Sequence, residues 1–134
     1  MLNDQFDIEL KGDFINLRHG EGFEISPAKM EEFWTFLSQI CEEHNCNKVL
    51  AEGPAPVRNM DTVAAFQSGV QAADVIAGFW LALCFENYEP DEISELFVHA
   101  ARNRGVHVKF FSDREKALRW LGVAQAEGGP RSSV

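Results

Sequence analysis

The chain has 134 residues, the usual length of one domain, and its 46% hydrophobic content with eleven phenylalanines is typical of a folded protein. Its net charge of −9 argues against a broad nucleic-acid interface, which requires clustered positive charge. No apolar run approaches the roughly 20 residues that span a bilayer, and the acidic N-terminus does not resemble a signal peptide. We therefore expect no transmembrane segment and a cytoplasmic protein.

The first third of the chain predicts a hairpin followed by a helix. Residues 6–10 alternate apolar and polar side chains, the period of a half-buried strand, and a Lys-Gly-Asp turn leads to a second strand over residues 14–18. Ser26 and Pro27 are typical of a helix start. Apolar residues then recur at three- and four-residue steps, which predicts a helix that ends near Asn45.

The middle of the chain predicts two further strands around a second helix. Residues 48–51 form a short strand that breaks at the loop Gly-Pro-Ala-Pro over residues 53–56. A helix then starts at Asn59 or at Asp61. Residues 79–85 are apolar throughout, which predicts a central strand covered on both faces. The expected buried side of the second helix is Val63, Phe66, Val70 and Ala73.

The last third predicts a helix, a strand and a closing helix. Acidic residues at 89–92 open the helix, Gly105 ends it, and residues 106–110 alternate as a strand. Ser112 and Glu115 have the spacing of a capping box. The order β-β-α-β-α-β-α-β-α predicts one α/β domain over residues 1–123, with a mixed, mostly parallel five-stranded sheet and about four helices. Residues 124–134, rich in glycine and serine, are predicted to be a flexible tail.

Motifs that carry chemistry are absent from the sequence. It contains no phosphate loop, no dinucleotide fingerprint, no nucleophile elbow and no HExxH. Cys41, His44 and Cys46 are close along the chain, but no second ligand pair follows at a zinc-finger distance. We therefore expect no catalytic residues, no metal, no cofactor and no enzyme.

The loop over residues 53–62 is the candidate site. It follows a predicted parallel strand, and open α/β sheets bind ligands at the carboxyl ends of strands. Arg58, with Asn59 and Asp61, is a candidate for binding an anion or another ligand beside a helix N-terminus. The alternative is a rigid connection in which Asn59 or Asp61 caps the helix.

The C-terminal third resembles a known superfamily. Asn103-Arg-Gly-Val, Val108-Lys-Phe-Phe and Asp113-Arg-Glu-Lys-Ala-Leu-Arg-Trp-Leu are similar to the last unit of small bacterial proteins of the SpoIIAA-like superfamily. Those proteins are related to the STAS domain (sulfate transporter and anti-sigma-factor antagonist) and have been linked with CRAL-TRIO lipid-transfer folds. The resemblance implies a SpoIIAA-like fold. Fold does not by itself give function.

The resemblance also implies a candidate phosphoacceptor. In STAS anti-sigma antagonists a phosphorylatable Ser follows an Asp at the start of a helix, and Asp61-Thr62 is the nearest match, with Thr in place of Ser. A phosphate at a helix N-terminus would switch a docking surface. The alternative is that Thr62 is an ordinary residue of the first helical turn.

Three functions compete at this point. The first is a non-enzymatic regulatory or protein-interaction module of the bacterial cytoplasm, which binds a protein partner or forms a homodimer. The second is a carrier or sensor of a small apolar or amphipathic ligand, and the third is a hydrolase or transferase with an unfamiliar site. The aromatic residues proposed to line the cavity of a carrier are Trp34, Phe36, Phe66, Trp80 and Phe111.

Overall fold

The computed structural model of the protein describes residues 5–123, so the predicted tail at 124–134 lies outside the described residues. The chain forms seven strands and four helices over that range. In order they are β1 (Phe6–Leu10), β2 (Ile15–His19), β3 (Glu24–Ile25), α1 (Pro27–His44), β4 (Lys48–Pro54), β5 (Val57–Arg58), α2 (Thr62–Ile76), β6 (Trp80–Glu86), α3 (Glu92–Arg102), β7 (His107–Phe111) and α4 (Arg114–Leu121).

Five of the strands form one mixed sheet in the order β1-β2-β4-β6-β7. The hairpin strands β1 and β2 are antiparallel, and all other neighbours in this sheet are parallel. The predicted class is therefore confirmed: an α/β chain with four helices and a mostly parallel five-stranded sheet that begins with a hairpin. Strands β3 and β5 form a separate two-stranded parallel sheet, which the sequence analysis did not predict because each strand has only two residues.

The helices divide between the two faces of the sheet. Helices α1, α2 and α3 cover one face and share its apolar core with alternate residues of the central strands, such as Leu81 and Leu83 of β6. Helix α4 packs on the other face, where Leu118 and Leu121 meet Ala82 of β6. Strand β6 is therefore buried on both sides, as its continuous apolar run predicted.

Two helix starts can be compared with their predicted caps. Ser26 caps α1, since its Oγ accepts a hydrogen bond from the Lys29 amide at 3.3 Å. The capping box predicted at Ser112 and Glu115 is wrong. Asp113 caps α4 instead and accepts from the Glu115 amide at 2.9 Å. Because Asp and Ser are about equally good caps, sequence alone did not choose between adjacent candidates.

The buried side predicted for α2 is only partly correct: Val70 and Ala73 are half-buried, and Ala73 packs against the core. Val63 and Phe66 are exposed, and the helix instead buries small residues against its neighbours. A Cβ atom on Gly69 would lie 2.7 Å from the Phe97 carbonyl oxygen and from the Ala100 Cβ, so α2 and α3 pack too closely for larger side chains. The buried residues of α2 are Ala65, Ser68, Gly69, Ala72 and Ile76.

The break predicted at residue 53 lies further along the chain. Strand β4 continues through Gly53 to Pro54, and these two residues pair with Phe85 and Glu86 of β6. Because Pro54 is the last residue of β4, its missing N–H removes no hydrogen bond from the middle of the ladder. Gly53 has a φ of +150°, and a Cβ there would lie 2.5 Å from the His19 carbonyl oxygen, so only glycine fits.

Candidate functional site

An apolar cavity of about 70 Å³ lies on the three-helix face of the sheet. Its floor is made by the second halves of the parallel strands, including Ala51 of β4 and Leu83 and Phe85 of β6. One side is formed by Ile25 of β3 and by Met60, which follows β5. The cavity therefore occupies the place where open α/β sheets bind ligands, at the carboxyl ends of the strands.

Aromatic rings make up much of the cavity wall. Alternation along β6 explains part of this, because Leu81, Leu83 and Phe85 face the cavity side and Trp80 faces the other. Pairs of these rings contact each other edge to face, as Phe85 does with Tyr88 and Phe110 at centroid distances of 5.6 and 6.0 Å. The aromatic lining residues are Phe6, Phe23, Phe33, Trp34, Phe85, Tyr88, Phe97 and Phe110.

Of the five aromatic residues proposed from the sequence, only Trp34 lines this cavity. Trp80 and Phe111 lie on the opposite face of the sheet, where both contact Trp120. Phe66 is exposed on α2 beneath the Arg104 guanidinium. Phe36 packs beside the cavity wall, stacked on Phe6. Residue type alone did not show which face of the sheet each ring would occupy.

Two polar atoms in buried lining residues have no hydrogen-bond partner among the described residues. They are Nε1 of Trp34 in α1 and Oγ of Ser68 in α2, whose residues are 2% and 3% exposed. Leaving such a group unsatisfied costs about 1–3 kcal/mol, and most buried polar groups in native proteins are paired. Because both atoms have almost no accessible surface, they lie within the packing around the cavity and are not exposed to its interior.

His19 forms part of the wall as a neutral side chain. It is the last residue of β2 and is buried. Its Nε2 donates to the Pro54 carbonyl oxygen at 2.7 Å, which fixes the proton on Nε2 because a carbonyl only accepts. Burial is the main cause that lowers the pKa of His19 below 6.5, ahead of the opposing effects of that hydrogen bond and of Glu86.

The candidate loop contributes Arg58 and Met60 to the cavity wall. Arg58 reaches across to Asp91, the cap of α3, and its two terminal nitrogens lie 2.7 and 2.6 Å from the two carboxylate oxygens. Hydrogen bonding to Arg58 is the main cause that holds the pKa of Asp91 well below its usual range. An incoming anion would therefore have to displace Asp91 from Arg58.

The other predicted site residues have local structural partners. Asn59 donates to a Glu24 carboxylate oxygen at 2.9 Å and ties the loop to β3. Asp61 caps α2 by accepting from the Ala64 amide at 2.9 Å. Thr62 is the first residue of α2 and is exposed. The structure thus brings Arg58 alone of these four residues to the cavity wall.

A polar groove on the opposite face of the sheet was missed by the sequence analysis. Glu52 of β4 is nearly buried there and accepts hydrogen bonds from Asn16 at 2.9 Å and from Arg18 at 3.1 Å. Arg114, at the start of α4, contacts the same carboxylate at 3.3 Å and donates to Asn16 Oδ1 at 2.8 Å. Because these four residues satisfy one another, they join α4 to the sheet.

The candidate metal ligands do not assemble into a site. Within residues 5–123, no three His, Cys, Asp or Glu side chains come together in a way that could hold a metal ion. The same range contains no helix long and apolar enough to cross a membrane.

Comparisons with known proteins give no match to this chain, either among family models or among curated proteins. The geometry of the cavity is therefore the main basis for inferring a function.

Proposed function

We propose that this protein is a non-enzymatic module that binds a small apolar ligand in the cavity between α1, α2, α3 and the sheet. The observation that carries the proposal is an apolar cavity on the three-helix face of the sheet, with aromatic rings over much of its wall. Binding pockets commonly combine apolar walls with a few polar groups that orient the ligand. The function is therefore that of a carrier or sensor.

The size of the cavity limits the ligand. Its volume of about 70 Å³ is roughly half of the 150 Å³ that holds a benzene molecule in an engineered core. A ligand with a five- or six-membered ring therefore requires the wall to move outward. Met30 and Met60 are suited to this movement, because the unbranched thioether side chain adapts its shape at low cost.

The lining residues support a binding role over a catalytic one. A serine nucleophile needs an adjacent base, yet Ser68 Oγ has no hydrogen-bond partner among the described residues. His19 directs its Nε2 proton to Pro54, and the Tyr88 hydroxyl is paired with Ser94. The proposal of a non-enzymatic protein rests on this arrangement of the lining groups.

The SpoIIAA-like fold and a role in the bacterial cytoplasm are part of the same proposal. The order of the four helices and the main-sheet strands supports this fold, together with the C-terminal motif that ends at Leu121. A link to lipid-transfer folds is also compatible with an apolar cavity. A structural comparison in which proteins of that superfamily failed to superpose on strands β2, β4, β6 and β7 would remove this part of the proposal.

A second candidate function, docking of a protein partner or of a second copy, is favoured by exposed apolar side chains. Ile8 and Leu10 lie on β1 at the edge of the main sheet, and Val63 and Phe66 lie on α2 beside the exposed Thr62. Unpaired sheet edges invite strand pairing. Light scattering that shows a dimer, converted to a monomer by Ile8→Lys and not by Val75→Lys, would support self-association through β1. A monomer at all concentrations would contradict it.

The ligand proposal is tested by native mass spectrometry of protein purified without detergent. Wild type is expected to carry an additional small mass that organic solvent removes. The variant Ala65→Leu adds bulk to a lining residue and is expected to lose that mass. Gln71→Leu introduces the same leucine on the exposed side of the same helix, away from the cavity, and is expected to keep it. A wild-type mass equal to that of the bare chain would contradict the proposal.

A further inference from the structure

One small unit of the chain forms the side of the cavity where the wall is least buried. Four lining residues lie in or next to strands β3 and β5, and none of them is fully buried: Phe23, Ile25, Arg58 and Met60. By contrast, the lining residues of β4, β6, α1 and α2 are all buried. Among the described residues that line the cavity, Arg58 alone is exposed, so the cavity meets solvent there. Residues 23–25 and 57–60 are called the lid below.

The lid is held together by its own backbone. The Val57 amide donates to the Phe23 carbonyl oxygen at 2.8 Å, and the Asn59 amide donates to the Ile25 carbonyl oxygen at 2.7 Å. In the part of the chain that the structure describes, neither β3 nor β5 pairs with a strand of the main sheet. The lid can therefore move as a unit without breaking the hydrogen bonds of the five-stranded sheet.

Arg58 joins the lid to α3, which supplies the neighbouring part of the wall. The two terminal guanidinium nitrogens of Arg58 lie 2.7 and 2.6 Å from the two carboxylate oxygens of Asp91. Asp91 is the N-cap of α3, and the first two turns of this helix contribute Ile93 and Phe97 to the cavity wall. The ion pair thus connects the lid side of the cavity with the α3 side.

We propose that the lid closes the cavity and that the ion pair between Arg58 and Asp91 is its latch. While the pair is formed, the lid restricts passage into the cavity, and when the pair breaks, the lid moves away from α3 and the cavity opens. The inference rests on the proposed function, because it describes how a ligand reaches that site. It also provides the outward movement of the wall that a ring-sized ligand requires.

The exposure of the latch allows it to break and re-form. The Arg58 and Asp91 side chains are 30% and 48% exposed, so both charges regain water when they separate and neither is left buried without a partner. Exposed ion pairs are weak and are screened by salt. Removing this pair is therefore expected to raise the fraction of open molecules about two- to fivefold.

Thiol labelling of the cavity tests the latch without a ligand. Ala65→Cys places a thiol at a lining residue that is 1% exposed, in a Cys46→Ala background that lacks the half-buried native thiol. The reagent is methyl methanethiosulfonate, which is small and uncharged, and mass spectrometry of the digested protein measures the rate at residue 65. Adding Arg58→Met is expected to raise that rate about two- to fivefold, because labelling follows the open fraction.

The direction of this change separates opening from a purely electrostatic effect. Loss of the Arg58 charge would by itself raise the pKa of a nearby thiol and slow its labelling, so faster labelling reports opening. Asp91→Asn keeps a good cap on α3 and is expected to act as Arg58→Met does. About 1 M NaCl is expected to accelerate labelling when the pair is intact and to have little effect in Arg58→Met. Leu83→Cys, on the cavity floor, is an independent second labelling position.

Two controls separate the latch from general loosening of the protein. Lys11→Met removes another exposed ion pair, Lys11 with Glu9 at 3.3 Å, at residues that do not line the cavity, and is expected to leave labelling at residue 65 unchanged. Cys41 and Cys84 are buried and are not lining residues, so their labelling reports opening of the core as a whole.

The outcomes distinguish the latch from the proposed function. Equal rates with and without Arg58 at both labelling positions would overturn the latch, and so would acceleration of Cys41 by the same factor as residue 65. Faster labelling of residue 65 alone, in protein that carries no additional mass, would support the latch and contradict the binding function. An additional mass, in protein whose labelling does not depend on Arg58, would do the reverse.

Discussion

Arg58 and Asp91 form a two-pronged ion pair between strand β5 and the first turn of α3. The guanidinium nitrogens lie 2.7 and 2.6 Å from the two carboxylate oxygens. The same Asp91 carboxylate caps α3 by accepting from the Ser94 amide at 3.0 Å. Because both side chains are partly exposed, the pair lies where the cavity wall meets solvent and joins the two segments that border it.

The two roles of Asp91 can be separated by substitution. Asp91→Asn keeps a good helix cap and loses the ion pair, and an exposed pair contributes about 0–1 kcal/mol. Asp91→Ala loses both and is expected to lower the free energy of unfolding by about 1 kcal/mol more than Asn does. Equilibrium unfolding in urea measures the difference. Equal effects of Asn and Ala would show that the cap at α3 contributes nothing.

The contribution of Asp91 also has a defined pH dependence. Its pKa is lower in the folded protein than the ordinary 3.8, chiefly because of hydrogen bonding to Arg58. A depressed carboxyl pKa gives stability that is present above the unfolded value and is lost as the pH falls below it. Asp91→Asn should therefore flatten the decline in stability below pH 3.8, and Arg58→Met should do so partially.

Even the smallest side chain at Gly69 is predicted to lower the stability of the protein. Gly69→Ala would normally favour a helix by about 0.5–1 kcal/mol. Here its Cβ would lie 2.7 Å from the Phe97 carbonyl oxygen, so α2 and α3 must separate. We expect net destabilisation of about 1–3 kcal/mol. Thermal unfolding measures it, and Gln71→Ala on the exposed side of α2 is the control. A raised melting temperature for Gly69→Ala would show that the helices are not in this contact.

His19 is predicted to make the fold less stable as the pH falls through the histidine range. Burial lowers its pKa below 6.5 in the folded protein, so below pH 6.5 the unfolded chain takes up a proton that the folded chain does not. Stability is therefore complete above that pH and declines until the folded pKa is passed. His19→Gln should reduce this slope as the pH falls below 6.5, which unfolding in urea at a series of pH values measures. Identical slopes in wild type and His19→Gln would contradict the neutral state of His19.

The three cysteines are predicted to differ in reactivity. Burial raises the pKa of the Cys41 thiol to about 12 and also raises that of Cys84, so neither forms an appreciable thiolate at neutral pH. Cys46 is only half-buried. Iodoacetamide should therefore label Cys46 first in the folded protein, and Cys41 and Cys84 only after unfolding. Loss of native labelling in Cys46→Ala is the control, and rapid native labelling of Cys41 would contradict this ranking.

The fold was largely predictable because hydrophobic periodicity and caps determine it locally. The apolar stripe of α1, which includes Trp34, is buried as its three- and four-residue spacing indicated. The pattern was misleading in α2, where Phe66 is exposed and Gly69 is buried. Close packing of two helices selects small residues at the contact, and this tertiary requirement has no signal in the period of one helix.

The candidate site was less predictable because it is assembled from distant segments. Arg58 was identified from its place after a parallel strand, and it does line the cavity. Its partner Asp91 is 33 residues away along the chain, and no motif of the sequence connects the two. Whether a buried polar atom has a hydrogen-bond partner depends on the packed structure, so the unpaired Nε1 of Trp34 could not be recognised from the sequence.

Equilibrium unfolding with and without cyclopentanone tests the central claim, binding of a small ligand in the cavity, most directly. A ligand that binds only the folded state raises the free energy of unfolding by RT ln(1 + L/Kd), where L is the free ligand concentration. The urea concentration at the midpoint of unfolding is expected to rise in wild type and in Gln71→Leu. It is expected to stay unchanged in Ala65→Leu, because the larger side chain reduces the volume of the cavity. No rise in wild type, or an equal rise in Ala65→Leu, would contradict binding in this cavity.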